Sequence, residues 1–387
     1  MNLSAIQAAL REQKIDAWLF YDHHHRDPIG YRILGVPENL MVTRRWYYVV
    51  PAQGEPRKLV HRIEAGHLDS LPGSKDEYSG WEELFAKLRT MLGPYQNVAM
   101  QYSKDNLIFV VSLVDAGTVE LLRSFGKNIV SSGDLVALFE ATWSDAQIQT
   151  HFEAGKAIDA ITEAAFKEIG RRVRNGGTDE YAIQQWFQEA FKREGLITDD
   201  GPIVAVNGNA GNPHYGPTAE KHSPIREGDL VLLDVWAKKN APGAVYYDIT
   251  WTGFVGKPPD KIRSVFDVVR NARDAGIKKV QETISAGKQL AGWEVDKATR
   301  DVIEAAGYGK NFVHRTGHSI ATEVHGNGAN MDNLEIHDVR RVLPNTCFSI
   351  EPGIYFSDFG VRSEIDMLVR QNSAEVTGRI QRELVII

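Results

Sequence analysis

Five residues in the C-terminal part of the chain have side chains that hold metal ions: Asp234, Asp248, His318, Glu351 and Glu364. Each stands at or beside a strand-like or glycine-bearing stretch. Four carboxylates and one imidazole form a mostly hard-oxygen donor set, suited to a pair of divalent cations such as Mn, Co or Zn. Two such ions carry about +4, which four ionised carboxylates offset, so acids that repel one another can share a buried site. Any one of these acids alone is as ordinary as a cap or turn residue. The reading rests on several segments agreeing.

His314, His318 and His325 fall within twelve residues at spacings of four and seven, with Gly317 permitting close backbone approach. Glu351-Pro352-Gly353 sets a carboxylate just before a rigid turn. In Asp248-Ile249-Thr250-Trp251-Thr252, alternation puts the Asp and both Thr side chains on one face, with Ile249 and Trp251 on the other. A single strand over 361–369 would likewise present Arg362, Glu364 and Asp366 together. Asp234 follows the apolar run Leu230–Leu233, which places it at a sheet edge or rim.

The elements that must carry these residues follow from pattern. Residues 1 to about 142 read as an α/β domain. Ser4-Ala5-Ile6-Gln7 is a capping box opening a short helix, Ala17–Tyr21 is a strand, and Arg45–Val50 is a strand stopped by Pro51. Helical patterns follow at about 81–92 and 118–125, with strand-like runs at 96–101 and 107–113. This alternation suggests a mixed sheet with covering helices. A second capping box, Ser144-Asp145-Ala146-Gln147, opens a long helix to about Val173, and the next helix starts at Thr178 and closes at Gly195. Strands are expected at 229–235, 246–253, 347–355, 361–369 and 383–387, and helices near 260–285 and 293–306. The domain boundary falls near 143, giving 1–143 and 144–387.

Composition narrows the classes. At 387 residues the chain has room for two or three domains, and 43% hydrophobic with 25% charged residues is a globular balance. A formal charge of −7 offers no basic footprint for nucleic acid. Cys347 is the sole cysteine, which excludes an intramolecular disulfide and points to a reducing compartment. No apolar run is long enough to span a membrane, and Met1-Asn2-Leu3-Ser4 lacks the features of a secretory leader, so a cytoplasmic protein is expected.

The run from about 200 to 370 resembles the pita-bread metallopeptidases, which include Xaa-Pro dipeptidase (prolidase), aminopeptidase P and methionine aminopeptidase. The resemblance rests on Pro213-His214-Tyr215, the Asp234 strand, Asp248–Thr252, His314-Arg315-Thr316-Gly317-His318, Glu323-Val324-His325, Ile350–Gly353 and Gly360–Glu364, in that order. The upstream part is similar to the creatinase-type N-terminal domain of prolidases and aminopeptidase P. The resemblance implies an α+β chain: a creatinase-like mixed α/β domain, then a pita-bread catalytic domain. It implies that Asp234 chelates one metal, that His318 and Glu351 hold the other, and that Asp248 and Glu364 bridge the pair with a water or hydroxide. His214 and His325 match substrate-contacting histidines, His314 matches a third histidine lining the pocket, and Arg362 would orient Glu364 or Asp248. A dimer or tetramer is implied as well.

In such a centre, two metals roughly 3.5–4 Å apart supply hydroxide at neutral pH. Glu351 could take the proton of the attacking water, and His325 or His214 could stabilise the oxyanion. A peptide bond before proline has no N–H, so strand-like docking through that donor is unavailable and a pocket gripping the ring suits it. The expected activity is cleavage of Xaa-Pro dipeptides. The rivals are aminopeptidase P action on longer Xaa-Pro peptides, a metal-free creatinase-like hydrolase, and a non-catalytic binding protein on the same scaffold.

Three features depart from the common pattern. Asp234 and Asp248 are separated by an enlarged hairpin containing Asn240-Ala241-Pro242-Gly243, Trp251 stands where Arg is common, and Gly326 stands where Glu commonly follows the histidine. Asp22-His23-His24-His25-Arg26 reads as a solvated loop after a strand, with closure of a substrate pocket as the alternative. Trp18, Trp46, Trp81 and Trp143 read as core or interface residues.

Overall fold

The computed structural model describes residues 1–387. Two compact units divide the chain, Met1–Glu140 and Ala141–Ile387. In the first, six strands form one mixed sheet in the order Ser74–Tyr78, Arg57–His61, Trp46–Pro51, Ala17–Asp22, Asn97–Met100, Asn128–Ser131. Its two central strands are buried on both faces, which is why Ala17–Tyr21 and Trp46–Val50 read as unbroken apolar runs. The helix Trp81–Leu92 covers the sheet with Leu84, Leu88, Met91 and Leu92, one stripe at helical spacing.

Several local expectations change here. The first helix spans Leu3–Glu12 and is capped by Asn2, whose side chain accepts from Ala5 N, so Ser4 heads no capping box. Gln7 instead donates to the carbonyls of Pro51 and Gly54. The run 107–113 is not a strand: it holds one short helical turn, Phe109–Val111, preceded by another, Lys104–Asn106, in which Asp105 and Asn106 take positive φ. Trp18, Trp46 and Trp143 are buried, whereas Trp81 is 64% exposed at a helix start. Asp22 is fully buried, and its carboxylate accepts from the backbone N–H groups of His25, Arg26 and Asp27 and from the Tyr31 hydroxyl. That carboxylate shapes the turn in which His24 and His25 take positive φ, leaving His24, His25 and Arg26 exposed.

The second unit is built on a long antiparallel hairpin, Leu230–Lys239 with Tyr247–Phe254. One face of it is apolar: Val231, Leu233, Val235, Ala237 and Ile249 pack against Ile158, Ile161, Ala165, Phe166 and Ile169 of the helix Asp145–Arg174. Full burial of each such aliphatic side chain is worth about 1.5–3 kcal/mol, so this face fixes which way the hairpin lies. The same helix opens with the expected capping box at Ser144 and Gln147. The other face turns Asp234, Asp248, Thr250 and Thr252 inward, with Asp234 paired directly across from Thr250 and Leu232 across from Thr252.

Asp234 is not at a sheet edge. Alternation continues past it to Lys239, and Ile203–Val206 pairs along its other side, so it sits mid-strand and mid-sheet. The helices Asp260–Ser285 and Gly292–Ala305 pack beside a four-stranded sheet, Ser319–Ile320, Cys347–Ile350, Ile365–Val369 and Ala374–Val376. Two expected long strands are each broken in two. Pro352 separates Cys347–Ile350 from Gly353–Tyr355, and Ser363-Glu364 separates Gly360–Arg362 from Ile365–Val369. Glu351 and Glu364 each fall in one of these breaks, outside the strand pairing. No helix is long and apolar enough to cross a membrane.

Candidate metal centre

Each acidic or imidazole group reaches the site by a separate backbone device. Gly317 lets the segment before His318 lie against Ser349; a Cβ there would stand 1.9 Å from the Ser349 carbonyl oxygen. Ser349 N then donates to the His318 carbonyl at 2.9 Å and Glu351 N to the Thr316 carbonyl at 2.7 Å, fixing His318 beside Glu351. Glu364 N donates to the Thr250 carbonyl at 3.0 Å, and the Thr252 hydroxyl donates to the Arg362 carbonyl at 2.7 Å. These bonds lock Glu364 onto the strand that carries Asp248. Asp248 N in turn donates to Asp366 at 2.8 Å.

The five residues converge. Ligating atoms of Asp248, His318 and Glu364 lie within 4.8 Å of one another. His318 Nε2 is 3.5 Å from Asp248 and 3.4 Å from Glu351. Asp234 joins them through Thr250, whose hydroxyl oxygen is 3.2 Å from Asp234 and 2.7 Å from Glu364. A hydroxyl has one proton, so it donates to the nearer acid, Glu364. All five line one cleft of about 400 Å³, together with His214, His314, Arg315, His325, Arg362 and Asp200.

Arg362 is buried, and its partners differ from the expected ones. It forms an ion pair with Asp234, donates through Nε to the Thr250 hydroxyl at 3.0 Å and through Nη1 to the Tyr355 hydroxyl at 3.1 Å. Glu364 is reached only through Thr250. Tyr355 passes the chain on to His314 Nε2 at 2.7 Å, and His314 Nδ1 donates to the Arg315 carbonyl at 2.7 Å. Burial first, then the charge of Arg362, pushes His314 down to about 3, so the ring is neutral with its proton on Nδ1. Both its nitrogens are committed to protein groups.

Burial raises Asp248, Glu351 and Glu364 above the usual carboxylate range, and neighbouring acids raise Asp248 and Glu364 further. Burial also lowers His318, keeping a lone pair available for ligation. One Asp248 carboxylate oxygen is buried with no protein partner. An acid group left in that state costs roughly 1–3 kcal/mol or more unless a cation meets it. The donor set therefore fits divalent ions: hard oxygens, one imidazole, and a buried excess of negative charge.

His214 and His325 stand at the exposed rim of the cleft. The His325 ring lies 4.3 Å from that of His318, and repulsion between the two rings on protonation, followed by burial, holds His325 down to about 3. The loop carrying His214 is pinned by Glu180, a fully buried acid that accepts from Val206 N, Asn209, the Tyr215 hydroxyl and Ser223 N. Reading the chain missed Glu180, Tyr355 and Arg315 as site residues; Glu180 and Tyr355 sit in no motif, and Arg315 lies in one without a role. Trp251 faces away from the cleft, packed against the long-helix core with the Arg379 guanidinium 5.3 Å above its ring. Its departure from the family pattern does not touch the site.

A model of metallopeptidase family M24 matches residues 153–371, more than half of the chain. The chain belongs to metallopeptidase family M24. A Xaa-Pro dipeptidase of Lactobacillus delbrueckii subsp. lactis is 29% identical over 297 residues, covering 76% of this chain and 73% of that one. Among solved structures, dipeptidase PepE from Mycobacterium ulcerans superposes with a TM-score of 0.71 at 23% identity, covering 100% of this chain and 96% of that one. A prolidase from Thermococcus sibiricus gives 0.63 at 22%, covering 100% and 98%. These likenesses extend the shared fold to both units. Membership of M24 and the Asp248, His318, Glu364 cluster together identify this metallopeptidase as a user of divalent metal.

Proposed function

We propose that this M24 metallopeptidase hydrolyses the imide bond of Xaa-Pro dipeptides with two divalent ions per subunit, drawn from Mn, Co and Zn. One observation supports the reading: four acids and an imidazole from distant segments meet in a single cleft whose rim bears two histidines. Asp234, Asp248, His318, Glu351 and Glu364 would hold the ions. When bound, such ions lower the pKa of water and polarise a carbonyl.

The chain's own groups supply the rest. Glu351 accepts a hydrogen bond from the Ser349 hydroxyl at 3.1 Å on one oxygen; the other, 4.0 Å from Arg362 Nε, would take a proton from the attacking water and return it to the proline nitrogen. That nitrogen is a poor leaving group until protonated. His325, neutral and at the rim, can donate to the developing oxyanion, with His214 beside it on the substrate. His314 shapes the wall and Arg362 holds Asp234; both act on substrate through the groups they position.

We further propose residues 1–143 as a creatinase-like domain and 144–387 as the pita-bread catalytic domain, a homodimer or homotetramer, and a cytoplasmic location. The division into two compact units, Met1–Glu140 and Ala141–Ile387, supports the first of these readings, the single free cysteine supports the last, and the oligomeric state rests on the family resemblance. The test is hydrolysis of Ala-Pro beside Ala-Pro-Ala, after chelation and readdition of each metal. Restored cleavage of the dipeptide alone is expected. Preference for the tripeptide would assign aminopeptidase P action, and no cleavage with any metal would remove the peptidase reading.

A further inference from the structure

Two guanidinium groups line the cleft, and they are in opposite states. Arg362 is engaged by Asp234, Thr250 and Tyr355, with Glu351 4.0 Å away. Arg315 is only partly buried, and its guanidinium makes no hydrogen bond and has no carboxylate within 4.0 Å. Its backbone, by contrast, is anchored: the carbonyl accepts from His314 Nδ1 at 2.7 Å, and the N–H donates to Glu335 at 3.4 Å. The Arg300 guanidinium donates to the neighbouring His314 carbonyl at 2.8 Å. A held backbone with a free planar fork of five N–H donors is a prepared receptor for a carboxylate or phosphate.

The surroundings select between these. The charge of Arg315 is among those acting on both His318 and His325, so the group lies within electrostatic reach of the ligand histidine and the rim histidine. An anion held there would share the cleft with Asp248, His318 and Glu351. Asp200 and Glu335 also line the cleft and would repel a dianion such as phosphate. A zwitterion meets both signs.

We infer that Arg315 recognises the free carboxylate of the substrate, making this residue the determinant of dipeptide length. The inference rests on the Xaa-Pro dipeptidase reading and adds to it the residue that meets the dipeptide's carboxylate. In a dipeptide the carboxylate follows the proline directly, so a longer peptide places a neutral amide where the guanidinium expects an anion. A charge-assisted bidentate pair left unmade then penalises the longer substrate.

The test compares wild type, Arg315→Gln and Arg315→Lys on Ala-Pro and on Ala-Pro-amide, which lacks only the charge. Wild type is expected to favour Ala-Pro by roughly 100-fold in kcat/KM. In Arg315→Gln that ratio should fall to about threefold or less, through KM, and Arg315→Lys should recover part of it because it keeps the charge without the fork. Calorimetry of L-proline and L-prolinamide binding reads the same contact without catalysis: proline should bind wild type more tightly, and Arg315→Gln should remove the difference. If Arg315→Gln keeps the wild-type ratio, or proline and prolinamide bind wild type equally, the assignment is overturned. If wild type cleaves neither substrate while proline binding still depends on Arg315, the peptidase reading fails and the carboxylate contact stands.

Discussion

The Thr250 hydroxyl accepts from Arg362 at 3.0 Å and donates to Glu364 at 2.7 Å, linking the one buried cation of the site to an acid it does not touch. Through the same arginine Asp234 is held as well. One small side chain therefore sets the orientation of two proposed metal ligands on separate segments.

Thr250→Val keeps the shape of the side chain and removes the hydroxyl. Metal affinity, measured by calorimetric titration of the chelated protein, is expected to fall about 10–100-fold. Thr250→Ser should stay within about threefold of wild type, since it retains the group that matters. Equal affinity in all three proteins would show that Thr250 orients nothing.

Tyr355→Phe leaves His314 Nε2 and one Arg362 N–H without their partner in a buried site. Unfolding free energy in urea should drop by roughly 1–3 kcal/mol. The hydroxyl is pushed up to about 12, by burial first, so it is protonated and donating at any working pH. Loss of activity should appear in kcat/KM without a new pH dependence between 6 and 9, read from a rate profile over roughly that range.

Gly317→Ala places a methyl group 1.9 Å from the Ser349 carbonyl oxygen. The segment bearing His318 must move away from Glu351, so both metal content and melting temperature should fall, with a stability loss of roughly 1–3 kcal/mol or more. Elemental analysis of the purified variant reads the first effect and calorimetry the second. Full metal loading would mean that the close approach does not set His318.

His151 is fully buried, with Nδ1 donating to the Tyr246 carbonyl at 2.6 Å and Nε2 meeting the Thr377 hydroxyl at 2.7 Å. Burial pushes it down to about 4 from an ordinary 6.5. The folded state thus binds the proton less readily than the unfolded chain. Its stabilising contribution is complete above pH 6.5, declines as pH falls, and is gone below about 4, a change of roughly 3 kcal/mol. Chelated wild type and His151→Gln are compared by urea unfolding at pH 7 and near pH 4. The gap between them should shrink on acidification, and a constant gap would place the titration elsewhere.

Much of the centre is legible in the sequence, because strand alternation and helix caps are local. The period of two puts Asp248, Thr250 and Thr252 on one face whatever lies beyond them, and Ser144 with Gln147 starts the long helix from within its first turn. Where the reading went astray, a non-local partner decided. Asp234 was placed at a rim because the apolar run stops there, but pairing with Ile203–Val206 puts it in mid-sheet. The family resemblance implies that Arg362 orients Glu364 or Asp248, yet its ion pair is with Asp234, on a different strand.

From sequence alone came the ligand types, their order, the faces on which strand-borne acids lie, and the family they resemble; all depend on residue chemistry and on periodicities a few residues long. Tertiary structure decided which acid touches which cation, that Tyr355 and Glu180 serve the site, and that Arg315 is left without a partner while Arg362 is not. Those facts depend on distances between segments brought together by core packing, and spacing along a chain does not encode distance across a fold.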